Sequence, residues 1–241
     1  MRLPPENPYG HTKKLRYILD RIPSDSRVLD FGTGNGLAVT SFLSGAGHHV
    51  LGIEPDLDCR EFANAFLEGT VLANIHCVRA GNYFPVVVCA DVIEHLENPL
   101  SELRNIASHQ ESGGLLLGSV PNGRGLFEIE NRLFKMRFGR LLSTIVEVLL
   151  NPRRLLRPRR AIVPMAASPH LHFFSIDDLH NLAHQAGYLM TDIRPGVLLG
   201  SAPFTCHILE KSKSLMRLNG WIADRLPLWA VSTWLFTWRK I

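Results

Sequence analysis

The stretch Val28-Leu29-Asp30-Phe31-Gly32-Thr33-Gly34-Asn35-Gly36 constrains the fold more than any other part of this 241-residue chain. A short apolar run ends in an acid and three alternating glycines, and an amphipathic segment follows. That is the pattern of a buried strand, a tight turn and a helix N-terminus. Glycines let a ligand approach the backbone closely and leave turn N–H groups able to face it. Eighteen residues after Gly36, Glu54 closes the next apolar run, where a carboxylate can take both hydroxyls of a ribose. The two features together indicate a ligand that carries a nucleoside.

The spacing narrows the choice of nucleoside. A dinucleotide turn needs Gly-x-Gly-x-x-Gly, whose third glycine lets the helix pack on the strand. Here the third glycine comes one residue early, and Leu37 stands where that fingerprint needs Gly or Ala. A phosphate loop with Gly-Lys-Ser/Thr is also missing. The Asp30 carboxylate suits a cationic or amine-bearing ligand better than a pyrophosphate. At these residues the chain resembles the class I S-adenosylmethionine-dependent methyltransferases. The resemblance implies S-adenosylmethionine as cofactor, with Asp30, Gly32, Thr33, Gly34 and Gly36 around its methionine end. It places Glu54, with Pro55 beside it, at the ribose.

Strands expected at 27–31, 49–54, near 74–79, 85–90 and 115–120 alternate with helices at Gly36 to Leu43, after Asp56 and after Asn98-Pro99. Such alternation predicts an α/β fold with a doubly wound, mostly parallel sheet. A capping-box-like Ser175-Ile176-Asp177-Asp178 opens another helix, which stops at Gly187. Strands at 188–194 and 203–210 complete a seven-stranded, Rossmann-like sheet, and the resemblance makes them an antiparallel edge pair. The expected organisation is a cofactor-binding core over 1–123 and 170–210, a basic lid insertion over 124–169, and a Trp-rich basic helical tail over 211–241.

Asp91-Val92-Ile93-Glu94-His95 follows the fourth strand, at the strand end where open α/β sheets place ligands. Three ionisable side chains in five residues are costly inside a core, so they are expected to face a cleft. The stretch is similar to the Asp/Glu-x-x-Glu-His of ubiquinone-biosynthesis O-methyltransferases. The resemblance implies that Ala90 and Asp91 flank the cofactor and that His95, with Glu94, acts on the acceptor, His95 as general base at a hydroxyl. One alternative has Asp91, Glu94 and His95 holding a divalent metal, although no metal ligand is assigned here. Another has Glu94 and His95 beginning a helix and making structural hydrogen bonds. Asn82, in Arg79-Ala80-Gly81-Asn82, stands where the family meets the adenine. His170 and His172 are expected at the base of the lid, near the site. The Asp/Asn-Pro-Pro-Tyr/Phe and Pro-Cys motifs of nucleic-acid methylating enzymes are missing after strand four, which disfavours a nucleic-acid acceptor.

Charge is unevenly distributed. Residues 124–160 carry a net +7 and residues 211–241 a net +5, and the remainder sums to −8. All four tryptophans, Trp221, Trp229, Trp234 and Trp238, fall in the last 21 residues beside basic side chains. Such a segment reads either as a peripheral membrane contact, together with 129–160, or as a helix that packs on the core or forms a homodimer. Cys59, Cys77, Cys89 and Cys206 form no C-x-x-C pair, and Met1–Glu6 lacks an apolar signal core. Both suggest a cytoplasmic protein, with the inner face of a membrane as an alternative. The reading that fits best is methyl transfer to a hydroxyl of a small or lipid-linked acceptor. The alternatives are a cofactor-binding, non-catalytic subunit of a membrane-proximal complex and an NAD-dependent oxidoreductase.

Overall fold

The computed structural model describes residues 3–4, 6–67, 71–126, 128–129, 169–200, 209 and 212–241. Strands β1 (Arg27–Phe31), β2 (His49–Ile53), β3 (Val71–Leu72), β4 (Phe84–Ala90) and β5 (Gln110–Pro121) pair in parallel. Strand β7 (Thr233–Lys240) lies antiparallel between β5 and β6 (Tyr188–Pro195). The order is β3-β2-β1-β4-β5-β7-β6. It reverses between β1 and β4, so the crevice outside their carboxyl ends is the topological switch point of the sheet.

The central parallel strands bury both faces, and their residues divide with a period of two. Val86, Val88 and Leu117 pack with Leu15 and Ile18 of α1 (His11–Leu19) and Leu43 of α2 (Thr40–Gly45). Val87, Cys89 and Leu116 pack on the other face with Leu103 and Ile106 of α4 (Pro99–Ser108) and Leu179 of α5 (Ile176–Gln185). Helix starts follow the capping chemistry expected from the sequence. Asp56 accepts from Cys59 N (2.9 Å) at α3 (Leu57–Phe66), and Asn98 from Ser101 N (3.1 Å) at α4. Ser175 and Asp178 close a reciprocal capping box at α5.

Three expectations are corrected. The seventh strand is Thr233–Lys240, not 203–210; residues 203–208 and 210 lie outside the described residues, and Leu209 is helical. The tail over 211–241 is therefore helical in α6 (Lys213–Ala223) and then enters the sheet. Trp234, Phe236 and Trp238 join the α4–α5 face of the core while Leu235 joins the α1 face. A strand covered on both sides has no polar alternation, which is why this run reads as a short apolar tail. Strand three ends at Leu72, and Ile75–Cys77 is a 3₁₀ turn instead of a strand. The helix after the glycine turn begins at Thr40 instead of Gly36. Beyond Ile129, the expected lid helix and the basic run to residue 160 lie outside the described residues.

The four tryptophans divide: Trp234 and Trp238 are buried, and Trp221 and Trp229 are exposed. Trp238→Ala is expected to cost about 3–5 kcal/mol of folding stability in urea denaturation. Trp229→Ala is expected to change it by less than about 0.5 kcal/mol. Equal effects would contradict the assignment of β7 to the core.

Candidate functional site

The glycine turn leaves the end of β1 with Gly32, Gly34 and Gly36 all at positive φ. Gly32 N and Thr33 N both donate to Ile53 O (2.9 and 3.0 Å), which fastens the turn to the end of β2. A Cβ at Gly32 would lie 2.4 Å from Val92 Cγ2, so this glycine lets the turn press against the 91–95 segment. A Cβ at Gly34 would meet nothing within 4 Å. That backbone faces open space, as a ligand-cradling position requires.

The acids around this turn have distinct surroundings. Asp30 is buried and accepts from Thr40 Oγ1 (2.5 Å). Burial pushes its carboxyl up to about 6, against the lowering effect of the Thr40 bond, and the Glu54 charge adds to the rise. Thr33 is buried, and its hydroxyl donates to Asp30 O (3.0 Å), so it shapes the turn from below. Glu54, also buried, accepts from Gly34 N (2.7 Å) and Asp56 N (2.9 Å). Arg60 holds the carbonyls of Glu54 and Pro55 (2.8 and 2.9 Å). Thr40 and Arg60 were not singled out from the sequence.

Asn82 does not join the site. Its side chain accepts from Arg27 Nη2 (3.0 Å), and Arg27 is the first residue of β1, at the opposite end of the sheet from Gly32. Because strand three ends at Leu72, the chain returns to the amino ends of the strands before it reaches Asn82. Ala73 and Asn74 follow Leu72 at the carboxyl end of β3.

The second half of the site begins at Ala90, the last residue of β4, and Asp91, which has a positive φ of 56°. Asp91 accepts from the Lys14 ammonium in a close ion pair and from Ser119 Oγ (2.5 Å). Burial acts to raise its pKa. The Lys14 charge and the hydrogen bonds from Lys14 and Ser119 outweigh burial and hold it below the usual carboxylate range. Lys14 was also missed, although it left a signal: it stands four residues before Ile18, on the stripe of α1 that is buried.

Glu94 is buried, and neither carboxylate oxygen accepts a hydrogen bond from the described residues. Burial drives its carboxyl well above the ordinary range, and the Asp91 charge adds to the effect. The Glu94 carbonyl accepts from Leu171 N (2.8 Å) and His172 N (3.1 Å), which docks the 169–174 segment against the site. His95 donates Nδ1–H to Pro169 O (3.0 Å), and its Nε2 lies 3.9 Å from Glu94 Oε1. His170 pairs through Nδ1 with the buried Glu128 (2.7 Å), and its ring meets that of His95 edge-on at 4.9 Å. Ligand atoms of Glu94, His95 and His170 all lie within 4.8 Å of one another. His172 instead donates Nε2–H to Leu96 O (2.9 Å), a structural bond. The structure thus brings together Asp30, the glycines, Glu54, Asp91, Glu94, His95 and, as expected, His170; it adds Lys14, and it sets Asn82 apart.

A family model described as a methyltransferase domain matches residues 6–192. The ubiquinone biosynthesis O-methyltransferase of Rickettsia canadensis is 31% identical over 45% of this chain and 51% of its own. The protein of the same name from Aeromonas salmonicida is 25% identical over 69% of this chain and 64% of its own. The chain spans about half the length of the first of these curated relatives. Among solved structures, the TehB-like SAM-dependent methyltransferase of Corynebacterium glutamicum aligns with a TM-score of 0.55 at 16% identity. That alignment covers 97% of this chain and 88% of the other, a likeness of fold.

The raised pKa of Asp30 has a consequence for stability. Folding favours the protonated acid, so its contribution is fully present below the unfolded value of 3.8 and is lost as pH rises through about 6. Asp30→Asn removes this dependence. Relative to that variant, the wild type is expected to lose about 2 kcal/mol between mildly acidic and slightly alkaline pH. Urea denaturation across this range tests it, and parallel profiles would contradict a buried, ionising Asp30.

Proposed function

The chain belongs to the methyltransferase-domain family, and on that premise we propose that it transfers the methyl group of S-adenosylmethionine to a hydroxyl of a small or lipid-linked acceptor. The observation that carries this reading is the gathering of Gly34, open to space, with Glu54, Glu94 and His95 at the carboxyl ends of the strands, at the switch point. The Gly32–Val92 approach joins the glycine turn to the 91–95 segment.

When bound, S-adenosylmethionine supplies a methyl group on a sulfonium, already an activated leaving group. Glu54 keeps two lone-pair positions beyond those used by Gly34 N and Asp56 N, which matches two ribose hydroxyls. Asp30 and Glu54 give the crevice the negative charge that suits a sulfonium and an ammonium, while Asp91 is answered by Lys14. His95 donates Nδ1–H to Pro169 O, so its neutral ring carries the lone pair on Nε2. From there it takes the proton of the acceptor hydroxyl as the oxygen attacks the methyl carbon. The names of the curated relatives support an oxygen acceptor of the quinone-precursor kind.

A specific observation favours a divalent cation at the same place. The buried, unpartnered oxygens of Glu94 face no donor among the described residues, and His95 and His170 complete a carboxylate–imidazole set that suits a transition metal. Glu94, His95 and His170 would hold the ion, with His95 Nε2 then a ligand in place of a general base, and Asp91, which is turned to Lys14, would not. The ion would orient the acceptor oxygen and acidify its hydroxyl. Glu128, bonded to His170 Nδ1, fits the outer partner that fixes a ligating histidine.

The test is transfer of label from methyl-labelled S-adenosylmethionine to a catechol-bearing quinone precursor, run before and after dialysis against a chelator. His95→Gln is expected to lower turnover roughly 100- to 10,000-fold while leaving S-adenosylhomocysteine affinity unchanged. Loss of turnover on chelation, restored by Mn²⁺ or Zn²⁺, supports the cation. Undiminished turnover in both His95→Gln and Glu94→Gln would sink the catalytic assignment. Tight cofactor binding without transfer to any acceptor would identify a non-catalytic subunit instead.

A further inference from the structure

A cavity of about 1030 Å³ lies away from the glycine turn, between α1, the end of β6 and α6. Six of its lining side chains are Lys or Arg and three are Asp or Glu. Some of these cations are already engaged. Lys13 donates to Gly196 O (2.8 Å) and pairs with Asp224 (2.6 Å), and Arg21 and Arg194 both pair with Asp192 (2.9 and 2.8 Å). Arg16, Lys213 and Arg217 make no ion pair with the described residues, and against the lining acids Glu6, Asp20 and Asp224 the groove keeps a net positive charge.

Helix α6, which forms one wall, is apolar on its outer side as well. Met216, Asn219 and Ala223 are buried, while Leu215, Leu218 and Trp221, spaced by three, are 39%, 46% and 53% exposed. The Arg225 guanidinium lies over the Trp221 ring at 3.6 Å, and Trp229 beyond it is 74% exposed. Asn219 clamps the helix to the core through both Leu199 N and Leu199 O (2.8 Å each). The result is a fixed ridge of Leu and Trp bordered by Lys213, Arg217 and Arg225. A water-facing ridge of this kind matches a surface that is apolar in depth and anionic at its rim.

We propose that this face docks on an anionic phospholipid bilayer. Leu215, Leu218 and Trp221 enter the headgroup region, and the α1–α6 groove takes a lipid phosphate against Arg16, Lys213 and Arg217. The proposal gives the lipid-linked acceptor a route to the site and rests on the methyl-transfer reading only in that respect. Lys13 reaches the groove while its neighbour Lys14 reaches Asp91, so two sides of the same helix α1 face the docked surface and the crevice. A protein seated this way presents its crevice close to the bilayer.

Co-sedimentation of the full chain with phosphatidylcholine vesicles, with and without phosphatidylglycerol, tests the assignment. Binding is expected only with phosphatidylglycerol and is expected to fall with salt. The triple variant R16Q/K213Q/R217Q is expected to weaken partitioning roughly 10- to 100-fold, and L218S/W221S to weaken it comparably. Both variants should keep the wild-type melting temperature and S-adenosylhomocysteine affinity. Quenching of tryptophan fluorescence by brominated lipid should diminish in W221F. Binding indifferent to phosphatidylglycerol, or unchanged in both variants, overturns the proposal. So does equally tight binding of inorganic pyrophosphate that depends on the three cations but not on Trp221, which would assign the groove to a free phosphate. Because transfer to a soluble acceptor is measured separately, failure here is distinguishable from failure of the methyl-transfer reading.

Discussion

The Glu54 carboxylate closes the glycine turn onto the end of β2, and the geometry of the crevice depends on that closure. Its oxygens hold Gly34 N and Asp56 N, so the loop after β1 and the start of α3 are set by one buried side chain. Within the same turn Gly32 presses against Val92, the residue after Asp91. Asp30, Glu54, Asp91 and Glu94 gather at the ends of β1, β2 and β4, and among the described residues Lys14 is the buried ammonium that answers them. Such a concentration of acid is costly in a low-dielectric interior, and the raised carboxyls of Asp30 and Glu94 express that cost. A cationic ligand relieves it, and this is the physical basis for reading the crevice as a site for a sulfonium cofactor.

The C-terminal strand does two jobs. Trp234, Phe236 and Trp238 fill the α4–α5 face of the core, and Phe236 and Trp238 stack at 4.7 Å. By pairing with both β5 and β6, β7 brings the end of β6 to the same edge as the ends of the parallel strands. There Thr233 Oγ1 accepts from Val197 N and Thr233 O accepts from Gly196 N. The exposed Trp221 and Trp229 precede this strand, so one aromatic-rich stretch supplies both a packed interior and an unpacked surface.

Much of this was legible because it rests on local chemistry. The apolar run before Asp30, the three glycines, Asn98-Pro99 and Ser175–Asp178 each fix backbone conformation within a few residues, and each stands where its pattern indicates. What was not legible depended on partners distant in sequence. Trp234–Trp238 lacks polar alternation because two helical layers cover it, and nothing local distinguishes that from an amphipathic tail. Asn82 was placed at the wrong end because a two-residue β3 followed by a 3₁₀ turn leaves a pattern too short to bound a strand. His170 is expected near the site, but its pairing with Glu128 and its approach to His95 depend on the Glu94 carbonyl holding Leu171 and His172. Lys14 was visible only as a charge on an apolar stripe.

The Glu54-closed turn is expected to bind an S-adenosyl nucleoside and not a dinucleotide. Calorimetric titration of S-adenosylhomocysteine and of NADH into the wild type and Glu54→Gln tests it most directly. The account expects S-adenosylhomocysteine alone to bind, with affinity lower by roughly 10- to 100-fold in the variant, the scale of a hydrogen bond to a charged acceptor. Preferential binding of NADH, or equal affinity of the two proteins for S-adenosylhomocysteine, would contradict it.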